Sequence, residues 1–160
     1  MKLPRASLLA LLLMLGGCTG APPGVVPVQG FELQRYLGTW YEIARLDHSF
    51  ERGLEAVTAR YARNEDGSVA VVNRGYRAEA STWEQAEGIA RFVGEETTAH
   101  LKVSFFGPFY SSYVVFELGE GYEYAFVSGY NRDYLWLLSR TPEVDEAVKA
   151  RFVARAAELG

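Results

Sequence analysis

The chain has few of the side chains that carry out catalysis or bind metal ions. It contains one cysteine, Cys18, and two histidines, His48 and His100, which lie far apart in the sequence. A single cysteine excludes an internal disulfide, and two distant histidines do not have the spacing of a zinc site. No G-x-S-x-G motif accompanies the serines, so a hydrolase triad has no support. We therefore expect a protein that is not an enzyme and has no metal or other cofactor.

Positive charge and long apolar segments are also scarce. The chain has 16 Lys and Arg against 20 Asp and Glu, whereas nucleic-acid binding needs a basic excess. The apolar run at residues 8–15 is too short to span a bilayer as a helix. We therefore expect no nucleic-acid partner and no membrane-spanning helix in the mature chain.

The N-terminus has the parts of a signal peptide. Lys2 and Arg5 precede the apolar run 8–15, and small residues lead directly to Cys18. The sequence Leu-Gly-Gly-Cys at 15–18 resembles the bacterial lipobox, in which the cysteine is acylated after cleavage. Because each buried acyl CH₂ contributes about 0.8 kcal/mol, several chains would hold the protein on a membrane. Lipid attachment at Cys18 is therefore predicted.

The sequence divides into three segments. Residues 1–17 are the predicted signal peptide, and 18–30, rich in Gly, Pro, Val and Ala, are predicted to be the lipidated Cys and a flexible tether. Residues 31–160 are long enough for one domain with its own core. Thr19 rather than Asp follows Cys18, which in bacterial lipoproteins favours the outer membrane. We expect a lipid-anchored outer-membrane protein that faces the periplasm.

The domain consists mostly of short runs rich in Val, Tyr, Phe and Trp, separated by turn residues. The predicted strands are 39–46, 56–63, 68–76, 82–93, 99–106, 112–118, 122–130 and 134–139. This pattern is typical of an antiparallel barrel or sandwich. After Pro142 the period changes, and Val144, Val148 and Phe152 recur at helical spacing. A helix is therefore predicted to pack on the outside.

The longest motifs resemble the lipocalin family. The matching stretches are 36–45, 47–48, 50–54, 101–110, 133–136 and 138–142. The resemblance is closest to the bacterial outer-membrane lipocalins and more distant to apolipoprotein D-like lipocalins. It implies an all-β fold, an eight-stranded antiparallel up-and-down β-barrel (lipocalin calyx) with a C-terminal α-helix packed outside. It also implies that Gly38, Trp40 and Arg140 close one end, with the arginine over the indole.

Alternation along the strands indicates which side chains face the lumen. In the fifth run Leu101, Val103 and Phe105 alternate with polar residues, and in the last run Trp136 and Leu138 share one face. The same reasoning, joined to the resemblance, predicts these further ligand-binding residues: Ala59, Tyr61, Val71, Gly88, Ala90, Tyr113, Val115 and Val127. An eight-stranded barrel is just wide enough to pack solid or to hold one small ligand, so both alternatives stay open.

Glu42 is the acidic residue that this alternation turns inward. It shares the parity of Trp40, so its carboxylate is predicted to point toward the closed end. A buried acid must be paired or protonated, and Arg140 is the predicted partner, which would make Glu42 part of the closure. Alternatively, Glu42 faces an open lumen and meets a polar head group or repels charged ligands.

Asp47, His48 and Glu51 form another group of polar residues, which could be mistaken for a metal or acid–base site. They follow the first predicted strand, where the lipocalin resemblance implies a variable lid at the barrel mouth. We therefore assign them no catalytic or metal-binding role.

Three functions are compatible with this sequence. We expect a membrane-anchored protein that stores or transports fatty acids or lysophospholipids in the bacterial cell envelope, with Trp136, Phe105 and Tyr113 around the acyl chain. The alternatives are a binder of another apolar small molecule, such as a haem-like or pigment molecule, and a structural envelope protein with a filled barrel. The resemblance also leaves a homodimer open.

Overall fold

The fold is a closed β-barrel. A computed structural model describes residues 18–160, so the predicted signal peptide lies outside the described residues. The strands are β1 (Gly38–Arg45), β2 (Leu54–Arg63), β3 (Val69–Arg77), β4 (Thr82–Phe92), β5 (His100–Phe106), β6 (Phe109–Leu118), β7 (Tyr124–Ser128) and β8 (Leu135–Ser139). Each strand pairs antiparallel with the next, and β8 pairs with β1. The predicted up-and-down barrel is confirmed, and a sandwich is excluded.

Local turn chemistry explains why neighbouring strands pair. Between β2 and β3, the Asn64 amide donates to the Ser68 carbonyl (2.8 Å), and the Ser68 amide donates to Asp66 Oδ1 (3.0 Å). Gly67 in this turn has φ +85°, a left-handed conformation that a residue without Cβ adopts readily. This tight connection returns the chain directly alongside β2.

Some strand ends differ from those predicted. β6 begins at Phe109 rather than at residue 112, because a short turn through Gly107 and Pro108 joins it to β5. β7 begins at Tyr124 rather than at residue 122, because Tyr122 has φ +59° and cannot continue a strand. The short helix α1 (Leu33–Tyr36) was not predicted, since four residues are too few to show a helical period.

A β-bulge in β1 changes which residues face inward. Glu42 pairs with Leu138, but Ala44 pairs with Leu137, so Ile43 is the extra residue. The bulge reverses the alternation, and Arg45 therefore lies on the same side of the strand as Glu42. Without the bulge, the period of two would have placed Arg45 on the opposite face from Glu42.

The predicted C-terminal helix packs outside the barrel. It is α2 (Glu146–Leu159), and its buried Phe152 contacts Phe126 of β7 edge to face, with ring centroids 5.1 Å apart. Phe126 therefore points outward, and its neighbour Val127 points into the barrel core. Within residues 18–160, no helix is long and apolar enough to cross a membrane.

The segment 18–30, predicted to be a flexible tether, lies against the barrel. The Val28 amide donates to the Val115 carbonyl (2.9 Å), and the Ala99 amide donates to the Val28 carbonyl (2.9 Å). Further back, the Cys18 carbonyl accepts a hydrogen bond from the Ser112 amide of β6 (2.9 Å). The exposed Cys18 is therefore held beside the first half of β6.

One end of the barrel is closed by Trp40 and Arg140. Trp40 is fully buried, and its indole N–H donates to the Tyr36 carbonyl (2.8 Å). The Arg140 guanidinium lies 3.9 Å from the centre of this indole and donates to the carbonyls of Arg35 (2.7 Å) and Thr39 (3.1 Å). Gly38 has φ +98°, a left-handed conformation that lets the chain turn into β1 beneath the arginine.

Candidate ligand-binding cavity

The barrel contains a cavity of about 500 Å³. This volume falls in the range of roughly 300–1,000 Å³ that is typical of small-molecule sites. The lining extends from Tyr36 at the closed end to Phe50, Phe106 and Phe109 at the opposite end, where these three phenylalanines are strongly exposed. The barrel is therefore not filled by its own side chains, and its mouth is opposite Trp40.

Most of the residues that the alternation placed inside do line this cavity. They are Ala59, Tyr61, Val71, Ala90, Leu101, Val103, Phe105, Tyr113, Val127, Trp136 and Leu138. Together they form an apolar wall that runs from the mouth toward the closed end. Their position makes them candidates for ligand contact.

Val115 and Gly88 are not among the residues that line the cavity, so a ligand contact by either of them stays a prediction. Val115 is fully buried in the core, where its backbone carbonyl binds the segment before α1. A Cβ added to Gly88 would lie 2.8 Å from the Phe105 ring, so Phe105 covers this glycine. Gly88 contributes space for Phe105.

The floor of the cavity carries three tyrosine hydroxyls. The Tyr113 hydroxyl lies 2.6 Å from that of Tyr36 and 2.9 Å from that of Tyr61, within hydrogen-bond distance of both. Burial raises the pKa of all three hydroxyls. The floor is therefore neutral, and its polar groups are hydrogen-bonded to one another.

A polar cluster lies nearer the mouth of the cavity, next to residues 46–53, which form the loop between β1 and β2. We call it the Glu51 cluster; its members are Glu42, Arg45, His48, Glu51 and Trp136. Glu51 Oε2 accepts a hydrogen bond from Trp136 Nε1 (2.9 Å) and lies 2.8 Å from His48 Nε2. Arg45 Nη1 donates to Glu42 Oε1 (2.6 Å), and Arg45 Nη2 donates to the Glu51 carbonyl (2.8 Å). The loop is thus tied to the barrel wall through charged groups.

Glu42 belongs to this cluster and not to the closed end. Its partner is Arg45, whereas Arg140 binds backbone carbonyls, so the predicted Glu42–Arg140 pair is wrong. The bulge that follows Glu42 is the reason, because it turns Arg45 toward the same side. Burial, followed by the nearby Glu51 carboxylate, raises the pKa of Glu42 to about 8. Glu42 therefore holds a proton at neutral pH.

His48 is enclosed by aromatic rings. Its ring centroid lies 5.3 Å from that of Trp136, 5.4 Å from that of Tyr134 and 5.9 Å from that of Phe50. Both ring nitrogens are buried and have no aligned hydrogen-bond partner within residues 18–160. His48 also lines the cavity, where its Nε2 faces the Glu51 carboxylate at 2.8 Å.

Sequence reasoning missed the contribution of the loop to the site. The cavity lining includes His48, Phe50 and Glu51. None of them lies on a strand, so alternation of apolar and polar residues could not predict that they face the cavity. The one available signal was Glu42, an acid on an inward position that requires a partner. Among the described residues, no group of three or more His, Cys, Asp or Glu side chains is arranged to hold a metal ion.

Comparison with known proteins identifies similar sequences and folds. A family model described as "Lipocalin-like domain" matches residues 31–160. The outer membrane lipoprotein Blc of Vibrio cholerae is 59% identical over 148 residues, covering 92% of this chain and 86% of that protein. The Escherichia coli K12 outer membrane lipoprotein Blc is 49% identical over 160 residues, covering 100% of this chain and 90% of that protein. Insecticyanin from the tobacco hornworm Manduca sexta is similar in fold alone, with a TM-score of 0.70 at 20% identity. The match covers 88% of this chain and 82% of insecticyanin.

Proposed function

The chain belongs to the lipocalin-like family, and on that premise we propose that it binds single-chain lipids, fatty acids or lysophospholipids, in the bacterial outer membrane. Lipocalins are generally binding proteins rather than enzymes. The observation that carries the proposal is a cavity of about 500 Å³ whose walls are mainly apolar and whose charged groups lie toward the mouth. An acyl chain would occupy the apolar part, and its polar head would remain near the loop.

The energetics favour a ligand with a long apolar chain. A lipid that leaves a membrane gains little unless the pocket buries most of its chain, because each CH₂ contributes about 0.8 kcal/mol. Leu101, Val103 and Phe105 from β5 supply one apolar wall, and Val127 and Leu138 supply another. These walls would replace the hydrocarbon environment that the acyl chain of the lipid loses when it leaves the membrane.

The same proposal includes a lipid anchor at Cys18. Two relatives are named outer membrane lipoproteins, and Cys18 follows the lipobox-like sequence. The Cys18 carbonyl is hydrogen-bonded to Ser112, and β6 begins at Phe109 at the mouth. At about 3.3 Å per residue, the anchor would lie about 10 Å from the mouth. Anchoring would therefore keep the mouth close to the bilayer that supplies the ligand.

Native mass spectrometry of the protein purified without added lipid tests this function. A Cys18→Ser background prevents acylation, so any lipid detected is bound in the barrel. Val103→Trp places a large side chain in the cavity, while Val153→Trp adds the same side chain at an exposed position on α2. We expect fatty acid or lysophospholipid on the parent and on Val153→Trp, and a loss of this lipid from Val103→Trp.

Two results would contradict the proposal. In the first, the parent carries no lipid and its mass does not change when fatty acid or lysophospholipid is added. In the second, Val103→Trp keeps as much lipid as Val153→Trp, which would place the ligand outside the cavity.

A further inference from the structure

The carboxylate of Glu51 occupies a position inside the cavity although its backbone belongs to the loop at the mouth. Residues 46–53 connect β1 to β2, and the Glu51 side chain turns inward until only 14% of it is exposed. Its Oε2 accepts from Trp136 Nε1 at 2.9 Å and lies 2.8 Å from His48 Nε2. The cavity thus holds a carboxylate that comes from the loop at the mouth rather than from a strand of the barrel wall.

The groups around this carboxylate are of the kind that binds an anion. Trp136 Nε1 is a donor only, and Glu42 lies close enough to Glu51 for the Glu51 carboxylate to raise the pKa of Glu42. Arg45 supplies a positive charge next to Glu42. His48 adds Nε2, which lies 2.8 Å from Glu51 Oε2, and an imidazole has at least one ring nitrogen that can donate. Removal of the Glu51 carboxylate would leave these donors unsatisfied in an apolar cavity, which is unfavourable.

We propose that Glu51 occupies the carboxylate subsite of the lipid-binding cavity, and that the carboxylate of a bound fatty acid displaces it to reach Trp136, His48 and Glu42. This inference rests on the proposed lipid-binding function and assigns the head-group chemistry of the same site. The exchange replaces one carboxylate by another, so the buried donors stay satisfied. Glu51 moves with its loop toward solvent, where a carboxylate is fully hydrated.

The proposal separates ligands by head group. A fatty acid can replace Glu51 with an equivalent charge, whereas a fatty alcohol of the same length offers only a neutral hydroxyl, which makes weaker hydrogen bonds. Glu51 therefore competes with the carboxylate of a fatty acid and does not compete with the hydroxyl of a fatty alcohol. Its removal should strengthen the binding of fatty acids and leave the binding of fatty alcohols unchanged.

Affinities for hexadecanoate and hexadecanol test this subsite. They are measured by calorimetric titration of the delipidated protein and its variants at a slightly acidic pH, where Glu42 holds its proton. We expect Glu51→Ala to bind hexadecanoate about tenfold more tightly than the parent, and hexadecanol with an unchanged affinity. Glu96→Ala is the matched control, because it also removes a carboxylate, but Glu96 pairs with Arg63 at the surface and does not line the cavity. It should leave both affinities unchanged.

Trp136→Phe provides an independent variant that keeps an aromatic ring and removes the N–H donor. In the Glu51→Ala background it should reduce hexadecanoate affinity several-fold and leave hexadecanol affinity unchanged. The subsite is contradicted if Glu51→Ala changes both affinities equally or neither, or if Glu96→Ala reproduces its effect. If neither probe binds the parent or any variant, the lipid-binding function itself is wrong, and the subsite with it. Binding of both probes without discrimination overturns only the subsite.

Discussion

The two ends of the barrel use an arginine in different ways. At the closed end, Arg140 donates to the backbone carbonyls of Arg35 and Thr39 and covers the indole of Trp40. At the open end, Arg45 binds the carboxylate of Glu42 as well as loop carbonyls. Backbone carbonyls do not titrate and hardly move, whereas a carboxylate can change its charge and its partner. The closed end is therefore fixed, and the open end can respond to a ligand.

The burial of aromatic side chains follows the same division. Trp40 is completely buried, whereas Phe106 and Phe109 at the mouth are 76% and 78% exposed. Burial of a large aromatic side chain stabilises the fold, while an exposed one contributes little to stability. The comparison indicates that residues at the closed end mainly support folding, and that residues at the mouth and under the loop mainly support binding.

Substitution of Trp40 should give the largest loss of stability. Trp40→Ala removes a fully buried side chain and its hydrogen bond to Tyr36, so we expect a loss of about 3–5 kcal/mol in the free energy of unfolding. Trp83→Ala is the control, because Trp83 is half exposed, and it should lose less than about 1 kcal/mol. Urea unfolding followed by circular dichroism measures both. Equal losses would contradict the assignment of stability to the closed end.

Glu42 should make stability depend on pH at the open end. Its pKa is about 8 in the folded protein and 4.5 as the reference value, so the folded state keeps a proton that the unfolded state loses between these values. Stability therefore falls as pH rises through this window, by a total on the order of 5 kcal/mol, because about 3.5 pKa units separate the two values and each contributes about 1.4 kcal/mol. Glu42→Gln cannot titrate and should lack this decline.

Urea unfolding at several pH values between 5 and 9 checks this prediction. The difference in unfolding free energy between Glu42→Gln and the parent should grow in favour of the variant as pH rises. A difference that is constant with pH would show that Glu42 stays ionised in the folded protein. The Arg45 pair would then dominate over burial and the Glu51 carboxylate.

Arg140 should have a smaller effect than Trp40, and one that does not vary over the same pH range. Arg140→Met keeps an apolar chain over the indole but removes the donors to Arg35 and Thr39, so we expect a loss of about 1–2 kcal/mol. Arg91→Met is the control; Arg91 pairs with Asp66 at the surface and should contribute less than about 0.5 kcal/mol. A loss that appears only above neutral pH would contradict a closed end held by backbone carbonyls.

The regular parts of this molecule could be predicted from its sequence. Alternation in β5 and β8 placed Leu101, Val103, Phe105, Trp136 and Leu138 on the inner face, and all five line the cavity. Period-two alternation is a local property of a strand, so no distant contact is needed to find it. The resemblance to lipocalins then supplied the closure of the barrel and the order of its strands.

The irregular parts could not be predicted in this way. The bulge after Glu42 reverses the alternation of β1. Regular alternation would place Glu42 and Arg45 on opposite faces, so it does not predict their ion pair. The path of residues 46–53 has no period, so nothing local shows that Glu51 returns to Trp136. For Gly88, the close approach of Phe105 from the neighbouring strand decides its role. Each of these features depends on contacts between segments rather than on local pattern.

Amide hydrogen exchange with and without hexadecanoate tests the difference between the two ends most directly. In the free protein, the amides of Glu51 and Arg52 donate to the His48 carbonyl, and at the closed end the Leu37 amide donates to the Leu33 carbonyl. We expect hexadecanoate to speed exchange in residues 46–53, because Glu51 is displaced, and to leave exchange in residues 33–40 unchanged. Unchanged or slower exchange in the loop of the lipid-bound protein, or faster exchange at the closed end, would contradict this expectation.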